Sequence, residues 1–143
     1  MSGRDFVDTN ILVYAHDGAA GSKYEIAGEV LKEAWNKRSG VISTQVLQEF
    51  YVTVTGKVEP KLDPEHAIRL VRRYTLWRVV DNDVSAVIRA AELQKTFQLS
   101  FWDALIVNAA LRAKCSRLIS EDLNHGQSFE DLVVVNPFVD STE

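Results

Sequence analysis

The chain has 143 residues, 46% of them hydrophobic and 25% charged, with 7 Gly, 3 Pro and one Cys. These globular values exclude disorder and collagen-like structure, and the length suits a single domain over 1–143. The net charge of −4, from 16 Lys+Arg against 20 Asp+Glu, argues by itself against a nucleic-acid binder.

The lone Cys115 has no internal disulfide partner, which fits a reducing cytoplasm. The longest apolar run, Ile11 to Ala15, is far short of the roughly 20 residues a membrane span needs. The opening Met1-Ser2-Gly3-Arg4-Asp5 lacks a signal peptide's apolar core. A cytoplasmic protein without membrane contact is expected.

Short apolar runs bounded by polar residues predict five strands, and helical periodicity fills the gaps between them. The first strand is read over 5–8 and is followed by the apolar run Ile11 to Tyr14. A helix over 23–37 carries Ile26, Val30, Leu31 and Ala34 at helical spacing. A strand over 40–43 leads into a helix over 44–55 with Val46, Leu47, Phe50, Tyr51 and Val54 on its apolar side. Asp63 and Pro64 are a start signal for a helix over 64–74. A strand over 77–80, helices over 83–95 and 101–114, and strands over 117–120 and 132–135 complete the chain. Strands that alternate with helices imply an α/β fold with a mostly parallel sheet covered on both faces.

Ligands of such sheets sit at the carboxyl ends of the strands. No glycine-rich dinucleotide or P-loop motif occurs, and carboxylates stand there instead. Asp8 ends the first strand, where it is either a helix N-cap or an acid at the sheet's top edge. Glu49 flanks the apolar stripe of its helix and stays near that edge, although a solvated helix Glu would look the same. Asp103 lies near the centre of the face formed by Ile106, Val107, Ala110 and Leu111. A capping box with Ser100 accounts for its place in the first turn but not for the side it faces. Asp122 follows the fourth strand in Ser120-Glu121-Asp122-Leu123-Asn124-His125-Gly126, which also reads as a turn.

Gathered carboxylates repel one another, and an all-oxygen set selects a hard cation such as Mg²⁺ or Mn²⁺. Such clusters commonly serve phosphoryl or phosphodiester transfer, with one or two ions activating water and stabilising the leaving oxygen. His16, His66 and His125 show no zinc spacing and read as packing or surface residues. Cys115 reads as a small core residue. One difficulty is topological. Two helices separate the third and fourth strands, so Asp103 reaches the strand tops only if the first of them crosses or climbs back.

The stretch Phe6-Val7-Asp8-Thr9-Asn10-Ile11-Leu12-Val13-Tyr14-Ala15 resembles the start of the PIN-domain ribonucleases, and within them the VapC-type toxins of toxin–antitoxin pairs. The resemblance continues, in the family's order, through Ile42 to Tyr51, Leu99 to Ile106 and Ser120 to Gly126. It implies a three-layer α/β/α sandwich around a mostly parallel sheet of about five strands. It further implies one or two Mg²⁺ or Mn²⁺ ions and metal-dependent cleavage of single-stranded RNA. By motif position Asp8, Glu49, Asp103 and Asp122 match the family's acidic quartet. Asp8 and Asp103 would be direct ligands, Asp122 would complete the site, and Glu49 would hold or orient an attacking water. Thr9 and Asn10 would steady the carboxylates, with Ser43, Thr44 and Ser120 in similar roles. A small antitoxin and a second copy of the chain are the implied partners.

With those four acids set aside, acidic and basic residues balance at 16 each, which leaves a surface compatible with RNA. Tyr51, Phe101 and Trp102 are candidates for base stacking, while Trp35 and Trp77 read as core. Lys57, Lys61, Arg69, Arg72, Arg73 and Arg78 are either a phosphate track or a solvated face. Three other readings stand beside the toxin. A housekeeping RNA-processing nuclease would carry the same site. A phosphotransferase or phosphatase would use Asp8 as nucleophile, but it calls for a second Asp where Asn10 stands. A non-catalytic module would not need all four acids.

Overall fold

The computed structural model describes residues 3–139. Strand β1 (Asp5–Val7) leads through Asp8 into helix α1 (Thr9–Ala15), and a single 3-10 turn (Gly18–Ala20) precedes α2 (Ser22–Lys37). Strand β2 (Gly40–Ser43) runs directly into α3 (Thr44–Gly56), followed by α4 (Pro64–Tyr74) and β3 (Arg78–Val80). The helical pair α5 (Val84–Phe97) and α6 (Phe101–Arg112) precedes β4 (Arg117–Ile119). Strands β5 (Ser128–Phe129) and β6 (Leu132–Val135) close the fold.

The sheet has six strands in the order β3-β2-β1-β4-β6-β5, parallel except for the β5–β6 pair. The expected mostly parallel sheet is present, with one more strand than the sequence suggested. The chain steps from β1 to β2 to β3 in one direction and then returns to the far side of β1 to lay down β4. Right-handed crossovers therefore place α1–α4 on one face and α5–α6 on the other, giving the three-layer α/β/α sandwich. Phe6, Val7, Ile42, Leu118 and Val134 fill the sheet interior with no exposed surface. Phe50, Tyr74, Trp35 and Trp77 form an aromatic cluster beneath α2–α4, which bears out Trp35 and Trp77 as packing residues.

The reversal of direction makes β1 and β4 the topological switch point, whose upper crevice is the usual ligand position. The α5–α6 pair also removes the topological difficulty. Arg112, in the last turn of α6, donates to the carboxylate of Asp83, the N-cap of α5, at 3.1 Å. The two helices are thus antiparallel. α5 climbs away from the end of β3, and α6 descends with its first turn at the top edge. There the side-chain amide of Gln45, in the first turn of α3, donates to the carbonyl of Trp102 at 3.2 Å.

Candidate functional site

The Asp8 backbone N–H still pairs with the Ile119 carbonyl at 2.9 Å, so Asp8 stands one residue beyond the β1–β4 ladder. Its extended backbone makes it the N-cap of α1, and Oδ1 accepts from the Thr9 N–H at 2.7 Å. Its other oxygen, Oδ2, accepts from the hydroxyl of Ser120 at 2.7 Å. Asp8 is a cap and more, because a residue that only caps does not need burial to 5% exposure at a sheet's switch point. Burial pushes its carboxyl up to about 7, opposed by the Ser120 and Thr9 hydrogen bonds and reinforced by the charges of Asp122 and Glu49.

Ser120 is fully buried, and its hydroxyl does double duty by also accepting from the Asp122 N–H at 3.1 Å. Asn10 spans the same turn. Its side-chain amide donates to Asp122 Oδ2 at 3.1 Å, and its carbonyl oxygen accepts from the Glu121 N–H at 3.2 Å. Thr9 reaches the opposite way, donating its hydroxyl to Glu49 Oε1 at 2.7 Å. Gln45 holds Glu49 Oε2 at 3.2 Å. Asp103 is half-buried in the first turn of α6, whose N-cap Ser100 accepts from the Asp103 N–H at 3.1 Å. Desolvation raises the Asp103 carboxyl, the Ser100 hydroxyl lowers it, and the charges of Asp122 and Glu49 raise it further. The acids that perturb Asp8 are thus the same two that perturb Asp103, so the four form one electrostatic group.

Ser43 and Thr44 have other work. The Ser43 hydroxyl accepts from the Val46 N–H at 3.3 Å and caps α3. The Thr44 hydroxyl accepts from the Asn82 N–H at 3.4 Å and ties α3 to the chain leaving β3. Neither hydroxyl hydrogen-bonds one of the four acids. Their place beside the site makes them builders of α3, which carries Glu49, because a residue between strand and helix is spent on starting the helix.

Two residues join the site's frame without a signal in the sequence. Glu121 accepts from the Tyr14 hydroxyl at 2.7 Å and pairs with Lys23, whose ammonium lies 5.0 Å from the Tyr14 ring centroid. That lattice pins the turn carrying Asp122 to α1 and α2. Its partners are 107 and 98 residues away in the chain, so no local pattern announces it. Gln45 is the second, buried and bonded to both Glu49 and α6.

Among the described residues, no basic side chain forms an ion pair with Asp8, Glu49, Asp103 or Asp122. Nor do three acid, imidazole or thiol groups stand close enough to form a ready-made cage. The four acids line the crevice rather than meet at one point. A buried carboxylate with no counter-charge takes up a proton or a cation. The donor set is wholly carboxylate oxygen, the chemistry that fits a hard divalent ion.

The fold is thus a three-layer α/β/α domain whose switch point carries acids without a cationic partner among the described residues. The PIN domain family model matches residues 6–127, and the chain belongs to that family. No curated protein matches at the sequence level. Solved structures similar in fold include a toxin–antitoxin complex from Klebsiella pneumoniae, 21% identical, TM-score 0.69, covering 94% of this chain and 98% of that one. Mycobacterium tuberculosis VapC20, described as a sarcin–ricin loop cleaving toxin, is 17% identical with a TM-score of 0.62 over 82% of this chain and 89% of its own. VapBC2 from Rickettsia felis, bound to a promoter DNA fragment, is 18% identical with a TM-score of 0.62 over 91% and 96%. No described helix is long and apolar enough to cross a membrane.

Proposed function

We propose that the protein is a Mg²⁺- or Mn²⁺-dependent endoribonuclease that cleaves single-stranded RNA, and that it is the toxin of a toxin–antitoxin pair. The observation that carries the nuclease reading is the group of four mutually repelling carboxylates, without a cationic partner among the described residues, at the switch point of a PIN domain. Asp8, Asp103 and Asp122 would hold one or two ions, with Glu49 beside them. A bound ion would lower the pKa of a water and offset charge on the scissile phosphodiester.

The protein's own contribution is positioning. Ser120 and the Thr9 N–H fix both oxygens of Asp8. Asn10 fixes Asp122. Thr9 and Gln45 fix Glu49 from two sides, where it would orient the attacking water. Hydrogen-bonded carboxylates of this kind keep their rotamers before substrate arrives, which is what preorganised catalysis needs.

The toxin role and the small antitoxin partner rest on the fold likeness to toxin–antitoxin complexes. A homodimer is proposed with them, and Val84, Val87 and Ile88 give α5 an exposed apolar stripe suited to a protein contact. A phosphotransferase using Asp8 as nucleophile fits less well, because both Asp8 oxygens are engaged and Asn10 is committed to Asp122 and Glu121.

The decisive measurement is cleavage of defined RNAs with and without divalent metal. Cleavage that EDTA abolishes, and that is lost in folded Asp8→Asn and Asp103→Asn variants, supports the assignment. Full activity in both variants would overturn it.

A further inference from the structure

We infer a second, separate ligand site at the opposite edge of the sheet, built to take the phosphoryl group of a small anion. A cavity of about 300 Å³ opens where β1, β2 and β3 begin. Arg4, Arg38 and Arg78 line it, and no acidic residue does. That volume is at the lower end of small-ligand pockets and too small for a folded partner.

The three arginines line this cavity from three different elements. Arg4 precedes β1 and donates from one nitrogen to the Ala113 carbonyl at 2.8 Å, which steadies it at the rim. Arg38 is the C-cap of α2 and sits in left-handed backbone conformation (φ 53°, ψ 38°), where Gly or Asn is the less strained choice. Arg78 opens β3. Among the described residues neither Arg38 nor Arg78 makes a side-chain hydrogen bond or ion pair. The acids of this edge are taken elsewhere: Asp5 by Arg117 at 2.8 and 2.9 Å, and Glu33 by Lys37 at 3.1 Å.

The wall of the cavity is Trp77. Its indole lies so close over Gly40 that a Cβ at that position would come within 2.7 Å of the ring, so only glycine lets the wall form. A cavity lined by three arginines and no acid calls for a multiply charged oxyanion. Phosphoryl oxygens match guanidinium in both charge and bidentate geometry. The site lies across the sheet from the acid crevice and does not depend on the nuclease reading.

The test is calorimetric titration of the whole protein with pyrophosphate in EDTA, so that no metal links the anion to the acids. The expected result is saturable binding of one anion per chain, about tenfold or more weaker in an Arg38→Ala/Arg78→Ala variant. Asp8→Asn should bind as the parent does. A Trp102→Phe variant leaves Trp35 and Trp77, both lining the cavity, as the remaining indoles, and its fluorescence should follow the same curve. A single-stranded DNA oligomer that displaces pyrophosphate names a nucleic-acid strand as the phosphoryl source, and failure to displace names a free small anion. No saturable binding, or equal affinity in the double arginine variant, overturns the site.

Discussion

The Ser120 hydroxyl donates to Asp8 Oδ2 at 2.7 Å and, from the same oxygen, accepts the Asp122 N–H at 3.1 Å. One fully buried oxygen thus links the ends of β1 and β4 and two of the four acids. Ser120→Ala should raise the Asp8 carboxyl further, since it removes a hydrogen bond that favours the charged form. It should also cost about 1–3 kcal/mol through lost pairing of buried groups. Nuclease activity should then rise at higher pH than in the parent. A pH–rate profile, with urea unfolding alongside, reads both effects, and an unmoved profile would remove Ser120 from the site's frame.

The metal-free protein should lose stability as pH rises. Burial pushes the Asp8 carboxyl from its ordinary 3.8 up to about 7, so the folded state binds the proton more tightly. The stabilisation from that proton is complete below the unfolded value and is lost as pH climbs through the folded one. Melting temperature should therefore fall between about pH 4 and pH 7 in EDTA. Asp8→Asn should flatten that fall and raise stability at pH 8, because it removes a buried charge. A steeper fall in the variant would argue that Asp8 is an ordinary cap.

Asn10 offers a view of the cation through one ligand alone, because its side-chain amide holds Asp122 Oδ2 at 3.1 Å and none of the other three acids. Asn10→Ala should weaken Mn²⁺ binding by about 10–100-fold, the usual cost of losing a residue that orients a metal ligand. Calorimetry with Mn²⁺ measures this directly. Equal affinity would mean that Asp122 needs no help from Asn10.

Gly40→Ala probes the far edge of the sheet. The added methyl would meet the Trp77 ring at 2.7 Å, and the indole is packed between Trp35 and Tyr74 and cannot retreat freely. A loss of about 1–3 kcal/mol is expected from overpacking. Chemical denaturation of the variant checks it.

Much of this was legible in the sequence because short buried strands and acid-tipped loops leave local marks. Strands β2 and β6 fall where their apolar runs lie, and Asp63-Pro64 does open α4. Helix α1 was not legible as a helix, since the apolar run from Ile11 to Tyr14 is as good a strand pattern as a helical one at that length. Strand β5 is two residues long and exists only through its pairing with β6. Helical period places Asp103 on an apolar face, yet α6 is buried from Ala104 through Ala110, so period alone does not say which side meets the acids. The Asp5–Arg117 ion pair and the Glu121–Lys23–Tyr14 lattice join residues about a hundred positions apart, and only the folded topology brings them together.

The first turn of α6 packs differently from the rest of that helix. Ala104 and Leu105 join Ala86 and Ala90 of α5 in a small core of their own, while Ile106, Val107 and Ala110 belong to the main one. Asp103 therefore takes its position from α5 as much as from the sheet. The outer side of α5 carries the exposed stripe of Val84, Val87 and Ile88. A molecule that settles on that stripe and shifts α5 also shifts one acid of the crevice, and by reciprocity a filled crevice changes the grip of the stripe by the same factor. Assembly state and catalytic readiness are then two readings of one helix.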